Sequence, residues 1–175
     1  MPEKTTSVPI EQAYSQLRSI IINNKCKITS ENPPQYIQVK QGSLNGMQPK
    51  NAKKLIEFHL SPEGTGTRIK SSTKIASDWT NLAIFGSVAA AFMTGILLWI
   101  AADMQNYVET AKPGFWTWLS KAYGYPDLQK TYFIIEFTRA LAVFLIAAIA
   151  VEVLIVAYVY PRKDTFAQEI LRTMN

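Results

Sequence analysis

Two long apolar runs constrain this 175-residue chain more than any other feature of it. The first run, at 79–102, contains no charged side chain. The second and longer run, at 132–160, is interrupted by Glu136, Arg139 and Glu152. About 20 apolar residues suffice for a helix to cross the hydrocarbon core of a bilayer. The two runs therefore predict two transmembrane helices, and they exclude a wholly soluble domain and a disordered chain.

These runs divide the rest of the sequence. We expect a cytoplasmic domain at 1–78, a first transmembrane helix at 79–102, an outer aromatic loop with an interfacial helix at 103–131, a second transmembrane helix at 132–160 and a cytoplasmic tail at 161–175. The first ten residues lack the apolar core of a cleavable signal peptide, so the first span is expected to act as the insertion signal.

Basic residues are concentrated outside the loop that joins the two runs. Residues 1–78 carry eleven Lys and Arg against six Asp and Glu, whereas residues 103–131 carry three of each kind. Because cytoplasmic flanks are enriched in Lys and Arg, we expect a multi-pass protein of the cell membrane with both termini in the cytoplasm. The residues predicted to contact lipid or a partner are Arg68, Lys70, Lys74, Arg162 and Lys163.

The N-terminal region has the periodicity of a small α+β domain. Apolar residues at helical spacing between Ile10 and Ile21 predict one helix that ends at Asn23 or Asn24, with Ser7 as its cap. Four segments with the alternation of strands follow, near residues 26–30, 35–42, 54–60 and 67–77. The predicted fold is an α+β membrane protein in which one helix covers a four-stranded antiparallel meander, followed by a two-helix transmembrane hairpin.

The C-terminal tail places Phe166, Ile170 and Met174 at helical spacing. This pattern predicts a short amphipathic helix. The helix is expected either on the inner membrane surface or against the N-terminal domain.

Small residues recur every four positions along the first run. They are Ala83, Ser87, Ala91 and Gly95. On a helix, such a row allows another backbone to approach closely, so we expect it to pack against a helix. The spacing leaves open whether that helix is the second span, another copy of the chain or another protein.

A carboxylate within a span is costly, so Glu152 is expected to face protein or water and not lipid. Three interpretations stay open: a protonated carboxyl group bonded across a helix interface, a proton or cation site, and a site for a partner's basic group. Glu136 and Arg139 are three residues apart and can pair. Glu152 lies about 220° around the helix from Arg139, which disfavours one continuous polar track.

Aromatic residues mark the ends of the first run and the outer loop. Trp79, Trp99, Trp116 and Trp118 are expected at membrane interfaces. Pro113 is expected to open a short helix that carries Phe115, Trp118, Leu119 and Ala122 on one face. That face fits an interfacial helix or a surface that docks another membrane subunit.

The sequence offers no motif for catalysis, and we expect no catalytic residue, no metal site and no cofactor. Cys26 and His59 fall on different predicted strands, with Cys26 expected as a small buried hydrophobe and His59 on an exposed or edge face. The Gly64–Gly66 segment is too short for a phosphate loop and predicts a hairpin turn. A nucleic-acid-binding motif is also lacking, so nucleic acid is not an expected partner.

These features favour a non-enzymatic membrane protein that acts as a subunit or scaffold of an assembly. Its expected partners are the lipid bilayer and further copies of itself or other membrane subunits. One alternative is a homo-oligomeric channel or ion-coupled transport component with Glu152 in the path. Another is a membrane-tethered sensor that binds lipid or a partner through its cytoplasmic domain.

Overall fold

The computed structural model describes residues 1–122 and 125–174, with only the backbone described for Ala122, Tyr125 and Pro126. In chain order the elements are β1 (Glu3–Thr6), α1 (Ile10–Asn23), β2 (Lys27–Asn32), β3 (Tyr36–Gln41), β4 (Lys54–Glu63), β5 (Gly66–Ile75), α2 (Ser77–Thr110), β6 (Lys121–Ala122), β7 (Tyr125–Pro126), α3 (Leu128–Val159) and α4 (Thr165–Thr173). The chain divides into two compact units. The first comprises Met1–Leu82 with Leu154–Asn175, and the second comprises Ala83–Val153.

The first unit is an α+β domain, as predicted, but its sheet has five strands and not four. The strand order is β1-β5-β4-β3-β2, and every pairing is antiparallel. Strands β2 to β5 form the predicted meander. The fifth strand is β1, which pairs with β5 from Glu3 opposite Lys70 to Thr6 opposite Thr67. The sequence did not reveal β1 because its four residues are polar and only Thr6 is buried.

Helix α1 covers one face of this sheet, and its apolar spacing predicted the buried side correctly. Ala13, Tyr14, Leu17 and Ile21 are buried, and the helix ends at Asn23. The prediction that Ser7 caps the helix is wrong. The residue at the N-cap is Pro9, whose fixed φ suits a helix start. In the described residues, no side chain forms a capping hydrogen bond at the start of α1.

The tail adds a second helix to the same core. Residues of α4 pack with α1 and the central strands in one cluster: Phe166, Ala167, Ile170, Leu171 and Met174. The tail helix therefore packs against the N-terminal domain, which was one of the two predicted placements. The domain core is built from both ends of the chain. The first unit therefore also contains the beginning of α2 and the end of α3.

The second unit contains most of α2 and α3, which are both long and apolar enough to span a membrane. Each helix exceeds its apolar run. Helix α2 continues through Asp103 to Thr110, where Ala111 adopts a left-handed φ of 57° and Pro113 follows. Helix α3 begins at Leu128, because Asp127 Oδ1 accepts the backbone N–H of Lys130 at 3.0 Å as an N-terminal cap.

The predicted interfacial helix after Pro113 is not present as an α-helix. The described segment contains one 3₁₀ turn, Thr117–Ser120, and the short strands β6 and β7. Thr117 and Ser120 are buried in this turn, whereas Phe115 and Trp118 are exposed. Ala122 is among the residues whose side chains lie outside the description, so its predicted place on the helix face is not described.

Buried positions on α2 and α3 recur at alternating spacings of three and four residues. On α2 they are Thr94, Leu97, Ala101 and Met104, and on α3 they are Thr131, Ile135, Thr138 and Ala142. An average spacing of 3.5 residues is typical of the stripe by which one helix faces another. Each helix therefore turns one narrow stripe toward the interior of the second unit.

Candidate functional site

A carboxyl group lies at the helix interface of the second unit. The Ser87 hydroxyl donates a hydrogen bond of 2.6 Å to Glu152 Oε2, and both side chains are half-buried. Gly86 adjoins the pair: a Cβ atom placed there would lie 3.4 Å from Glu152 Oε1. The sequence singled out Ser87 and Glu152 for separate reasons, and the structure brings them together. It did not reveal Gly86, whose position beside the carboxyl group depends on the contact between the two helices.

The four small residues of α2 do not share one environment. Ala83 and Ser87 are half-buried in the second unit, whereas Ala91 and Gly95 are exposed. A Cβ atom added at Gly95 would meet no atom within 4 Å. The reason is geometric: a row with a spacing of four drifts by about 40° per step around the helix, so it leaves the straight stripe that the other helix covers.

Outside the two stripes, α2 and α3 expose large apolar side chains. In the most apolar 18-residue windows of the segments Ser77–Thr110 and Leu128–Thr173, only 11% and 6% of residues are buried. Members of this surface include Phe85, Val88, Phe92, Phe137, Phe144 and Val151. A helix that is apolar on all sides is normally buried in protein or in a bilayer. The apolar surface of α2 and α3 is therefore one that protein atoms leave uncovered.

The polar residues near the start of α3 form an exposed pair. Arg139 Nη1 lies 3.5 Å from Glu136 Oε1, and both side chains are largely exposed. The predicted pairing at a spacing of three residues is therefore present. Exposed pairs of this kind stabilise a helix only slightly.

Three aromatic rings cluster near the end of α2. Trp99 stacks on Phe115 at a centroid distance of 5.4 Å, and Trp116 meets both rings edge-on. Asp103 Oδ2 accepts the backbone N–H of Trp116 at 2.7 Å, which ties the chain after α2 back to the helix. Trp99 and Trp118 are exposed, as side chains at an interface must be, whereas Trp116 is half-buried.

Trp79 does not have the environment predicted for it. Its side chain is buried in the first unit with Ala52 and Val159, and its indole N–H donates to the Gly46 carbonyl at 3.1 Å. A ring enclosed by protein in this way does not face lipid headgroups. The position of Trp79 at the edge of the apolar run did not distinguish a tryptophan in a domain core from one in a membrane interface.

The predicted basic residues differ in their electrostatic surroundings. Arg68, Lys70 and Lys74 share the sheet face opposite α1, but Arg68 forms an ion pair with Glu63. The guanidinium of Arg68 holds the pKa of the Glu63 carboxyl below its ordinary value. After α3, Arg162 stacks over the Tyr158 ring at 4.6 Å. The backbone carbonyl of Lys163 accepts a hydrogen bond from the ammonium group of Lys54.

Lys54 is a fully buried lysine that the sequence did not single out. Its ammonium group donates hydrogen bonds to the carbonyls of Pro49 and Lys163, the second at 3.5 Å. It also lies 5.7 Å from the centre of the Phe166 ring. Burial lowers the pKa of Lys54 to about 8, and the nearby Asp164 carboxylate offsets part of this effect. Lys54 thus connects the start of β4 to the segment that leads into α4.

Raising the pH above 8 is expected to stabilise the first unit through Lys54. Below the folded-state pKa of about 8, folded and unfolded chains both hold the proton, so the cost of burying the charge is constant. Between about 8 and the ordinary value of 10.5, the unfolded chain binds more protons, and the free energy of unfolding rises with pH. The full rise is at most about 3.5 kcal/mol.

A Lys54→Met variant is the matched comparison, because it lacks the titrating group at the same position. Urea denaturation of both proteins in detergent, measured from neutral pH to pH about 10, gives the difference between their slopes. Both proteins also carry Cys26→Ser, because the Lys54 charge lowers the pKa of the Cys26 thiol, which would otherwise titrate differently in the two. Parallel curves would show that burial of Lys54 contributes no pH dependence.

Cys26 and His59 do not lie together. Cys26 is half-buried beside the core, and its burial raises the pKa of the thiol, which disfavours the reactive thiolate. His59 is exposed on the central strand β4, where its ring lies 4.9 Å from that of Tyr36. Within residues 1–122 and 125–174, no group of three or more His, Cys, Asp or Glu side chains is placed to hold a metal ion.

Comparison with known proteins gives no family for this chain. No family model matches it. No protein of curated function matches it significantly. Among solved structures, the crystal structure of CalU16 from Micromonospora echinospora aligns at 12% identity over 80% of this chain and 85% of that chain, with a TM-score of 0.32. At that TM-score the likeness carries no argument about fold or function.

Proposed function

We propose that the chain is a two-span integral membrane protein that acts, without catalysis, as a subunit or scaffold of a membrane assembly. The observation that carries the proposal is the outward apolar surface of α2 and α3, of which only 11% and 6% of the most apolar windows are buried. The core helix of a soluble protein passes the same test of length and composition, but most of its apolar side chains are enclosed by protein. Here they face outward.

The orientation we propose places the first unit in the cytoplasm. Both ends of the helical pair belong to this unit, so two crossings return the chain to the side from which it started. Residues 1–78 carry an excess of five basic groups and residues 161–175 an excess of one, whereas residues 103–131 are balanced. This distribution supports cytoplasmic termini, because Lys and Arg are retained on that side.

The assembly role is supported by the part of the small-residue row that α3 leaves uncovered. Ala91 and Gly95 are exposed on the flank of α2, where a helix from another subunit can approach closely. The Ser87–Glu152 hydrogen bond lies inside the hairpin and supplies the carboxyl group with the partner that a structural role requires. We therefore favour an assembly subunit over a channel in which Glu152 lines the path.

A Gly95→Leu substitution is expected to weaken assembly without unfolding the hairpin, because a Cβ atom at Gly95 meets no atom outside its own stretch of helix within 4 Å. The native mass of the complex, extracted from its own membranes in gentle detergent, should fall toward that of a single chain or lose a co-purifying protein. The control is Ala89→Leu, which adds a side chain at an exposed position on the other flank of α2.

If Gly95→Leu and the parent protein have the same native mass and the same co-purifying proteins, the exposed part of the row is not an assembly interface. If Ala89→Leu disrupts the complex equally, the effect belongs to added bulk and not to close packing at Gly95. A parent protein that is itself a lone chain under these conditions would contradict the assembly role.

A further inference from the structure

We infer that a row of lysines across the exposed face of the sheet binds the headgroups of anionic phospholipids. The row consists of Lys27, Lys40 and Lys74 and is called the basic row below. This inference rests on the proposed function in one respect, namely that α2 and α3 cross a bilayer. It goes further by naming a binding surface and the chemistry that it recognises.

Strand register brings the three lysines together from distant parts of the sequence. Lys27 on β2 lies opposite Lys40 on β3, and Lys40 lies opposite Leu55 on β4. Leu55 in turn lies opposite Lys74 on β5. Neighbouring strands are about 4.8 Å apart, so the row crosses four strands in a span of about 14 Å. Its members are exposed or half-buried on the face opposite α1.

The basic row differs from Arg68, on the same face, in forming no ion pair. Arg68 is paired with Glu63, and Lys70 lies opposite Glu3. Within the part of the chain that the structure describes, none of the three row lysines forms an ion pair. Two acids adjoin the row. Glu57, two residues along β4 from Leu55 on the same face, accepts a hydrogen bond from the Gln38 amide at 3.1 Å. Asp78 is paired with Lys53.

The basic row also destabilises the sheet. Like charges placed directly opposite each other on neighbouring strands are destabilising, and Lys27 and Lys40 occupy such a pair. A local arrangement that costs stability is expected where function requires it. An anionic ligand would remove the repulsion that the sheet alone leaves in place.

The position of the row indicates which anion is within reach. Lys74 is near the end of β5, and α2 begins three residues later at Ser77. The first strongly exposed apolar side chain of α2 is Leu82, about 8 Å along the helix from Ser77. The segment from Lys74 to Leu82 therefore joins this end of the row to the expected membrane surface, whose anionic headgroups attract cations over about a Debye length. Phosphate headgroups at that surface fit an unpaired lysine row.

The test uses the full chain in lipid nanodiscs of two compositions, phosphatidylcholine alone and phosphatidylcholine mixed with phosphatidylglycerol. Acylation rates of individual lysines are measured by mass spectrometry at low and at high salt. We expect the three row lysines to react about threefold or more slowly in the anionic discs, because lipid phosphates cover them. High salt should remove this protection.

Two variants test whether the row itself holds the lipid. The row variant is Lys27→Gln, Lys40→Gln, Lys74→Gln. The control variant removes equal charge from exposed positions on α1, the β3–β4 loop and α4: Arg18→Gln, Lys50→Gln, Arg172→Gln. After extraction from mixed-lipid discs in gentle detergent, the row variant should retain less phosphatidylglycerol relative to phosphatidylcholine than the parent. The control variant should retain as much as the parent.

Equal acylation rates in both discs would overturn the inference, as would equal lipid retention by the two variants. Row lysines that are slow in phosphatidylcholine alone, with no further change in anionic discs, would also overturn it, because another surface would then cover them. A chain that elutes apart from the discs contradicts the proposed function instead. A chain inside the discs without lipid-dependent protection contradicts the lipid site alone.

Discussion

Replacing Phe166 with alanine is expected to lower the free energy of unfolding of the first unit by about 3–5 kcal/mol. Phe166 is 4% exposed and belongs to the core that α1, the sheet and α4 share. Truncation would leave a cavity there and remove the ring that lies 5.7 Å from the buried Lys54 ammonium. Domains of this size have about 5–15 kcal/mol of stability in total, so the loss would be a large fraction.

Urea denaturation in detergent measures this loss, and the same helix supplies the controls. Gln168 and Arg172 are exposed on α4, so their alanine variants should stay within about 0.5 kcal/mol of the parent. If Phe166→Ala behaves like these controls, the tail does not contribute to the domain core. Such a result would contradict the packing of both chain ends into one unit.

The paired substitution Phe92→Asp and Phe144→Asp is expected to abolish membrane integration. These side chains are 69% and 66% exposed, and each lies near the middle of its apolar run. A charge at the centre of a span costs about 3 kcal/mol per residue for insertion. If α2 and α3 were in water, the same changes would remove exposed apolar surface and improve solubility. Membrane-spanning helices would therefore lose integration on this substitution, whereas helices in water would gain solubility.

The fraction that resists alkaline carbonate extraction measures integration. Met47→Asp is the matched control, because Met47 is 65% exposed in a loop of the first unit. This control should leave the fraction unchanged. A double variant that stays in the membrane fraction as the parent does would contradict a lipid-facing position for Phe92 and Phe144.

The sequence predicted those parts of the fold that depend on local pattern. The helix from Ile10 to Asn23, the β2–β5 meander and the two apolar helices follow from side-chain periods of 3.6 and 2 and from apolar length. The strand β1 escaped prediction because its polar residues show no alternation, and because its partner β5 lies far along the chain, beyond α1 and three other strands.

The candidate sites were less predictable because they depend on contacts between distant segments. In the sequence, Lys54 is one more basic residue at the start of a predicted strand. Only the fold buries it, with hydrogen bonds to the carbonyls of Pro49 and Lys163. Its burial follows from the docking of the tail, for which the sequence left two placements open.

The basic row was also not predictable from the sequence, because its grouping depends on the register between strands. Periodicity grouped Arg68, Lys70 and Lys74 on one strand, whereas the register across strands joins Lys74 with Lys40 and Lys27. A row that crosses strands is invisible in the alternation of any single strand.

The most direct test of the two-span account is the accessibility of single cysteines to a membrane-impermeant maleimide in intact cells. In a Cys26→Ser background, one variant carries Met47→Cys in the first unit and another carries Lys112→Cys after α2, and both native positions are exposed. We expect the cysteine at position 112 to react in intact cells and the one at position 47 to react only after permeabilisation. Equal reactivity of the two positions in intact cells would contradict a hairpin that crosses the membrane, and the reverse pattern would contradict cytoplasmic termini.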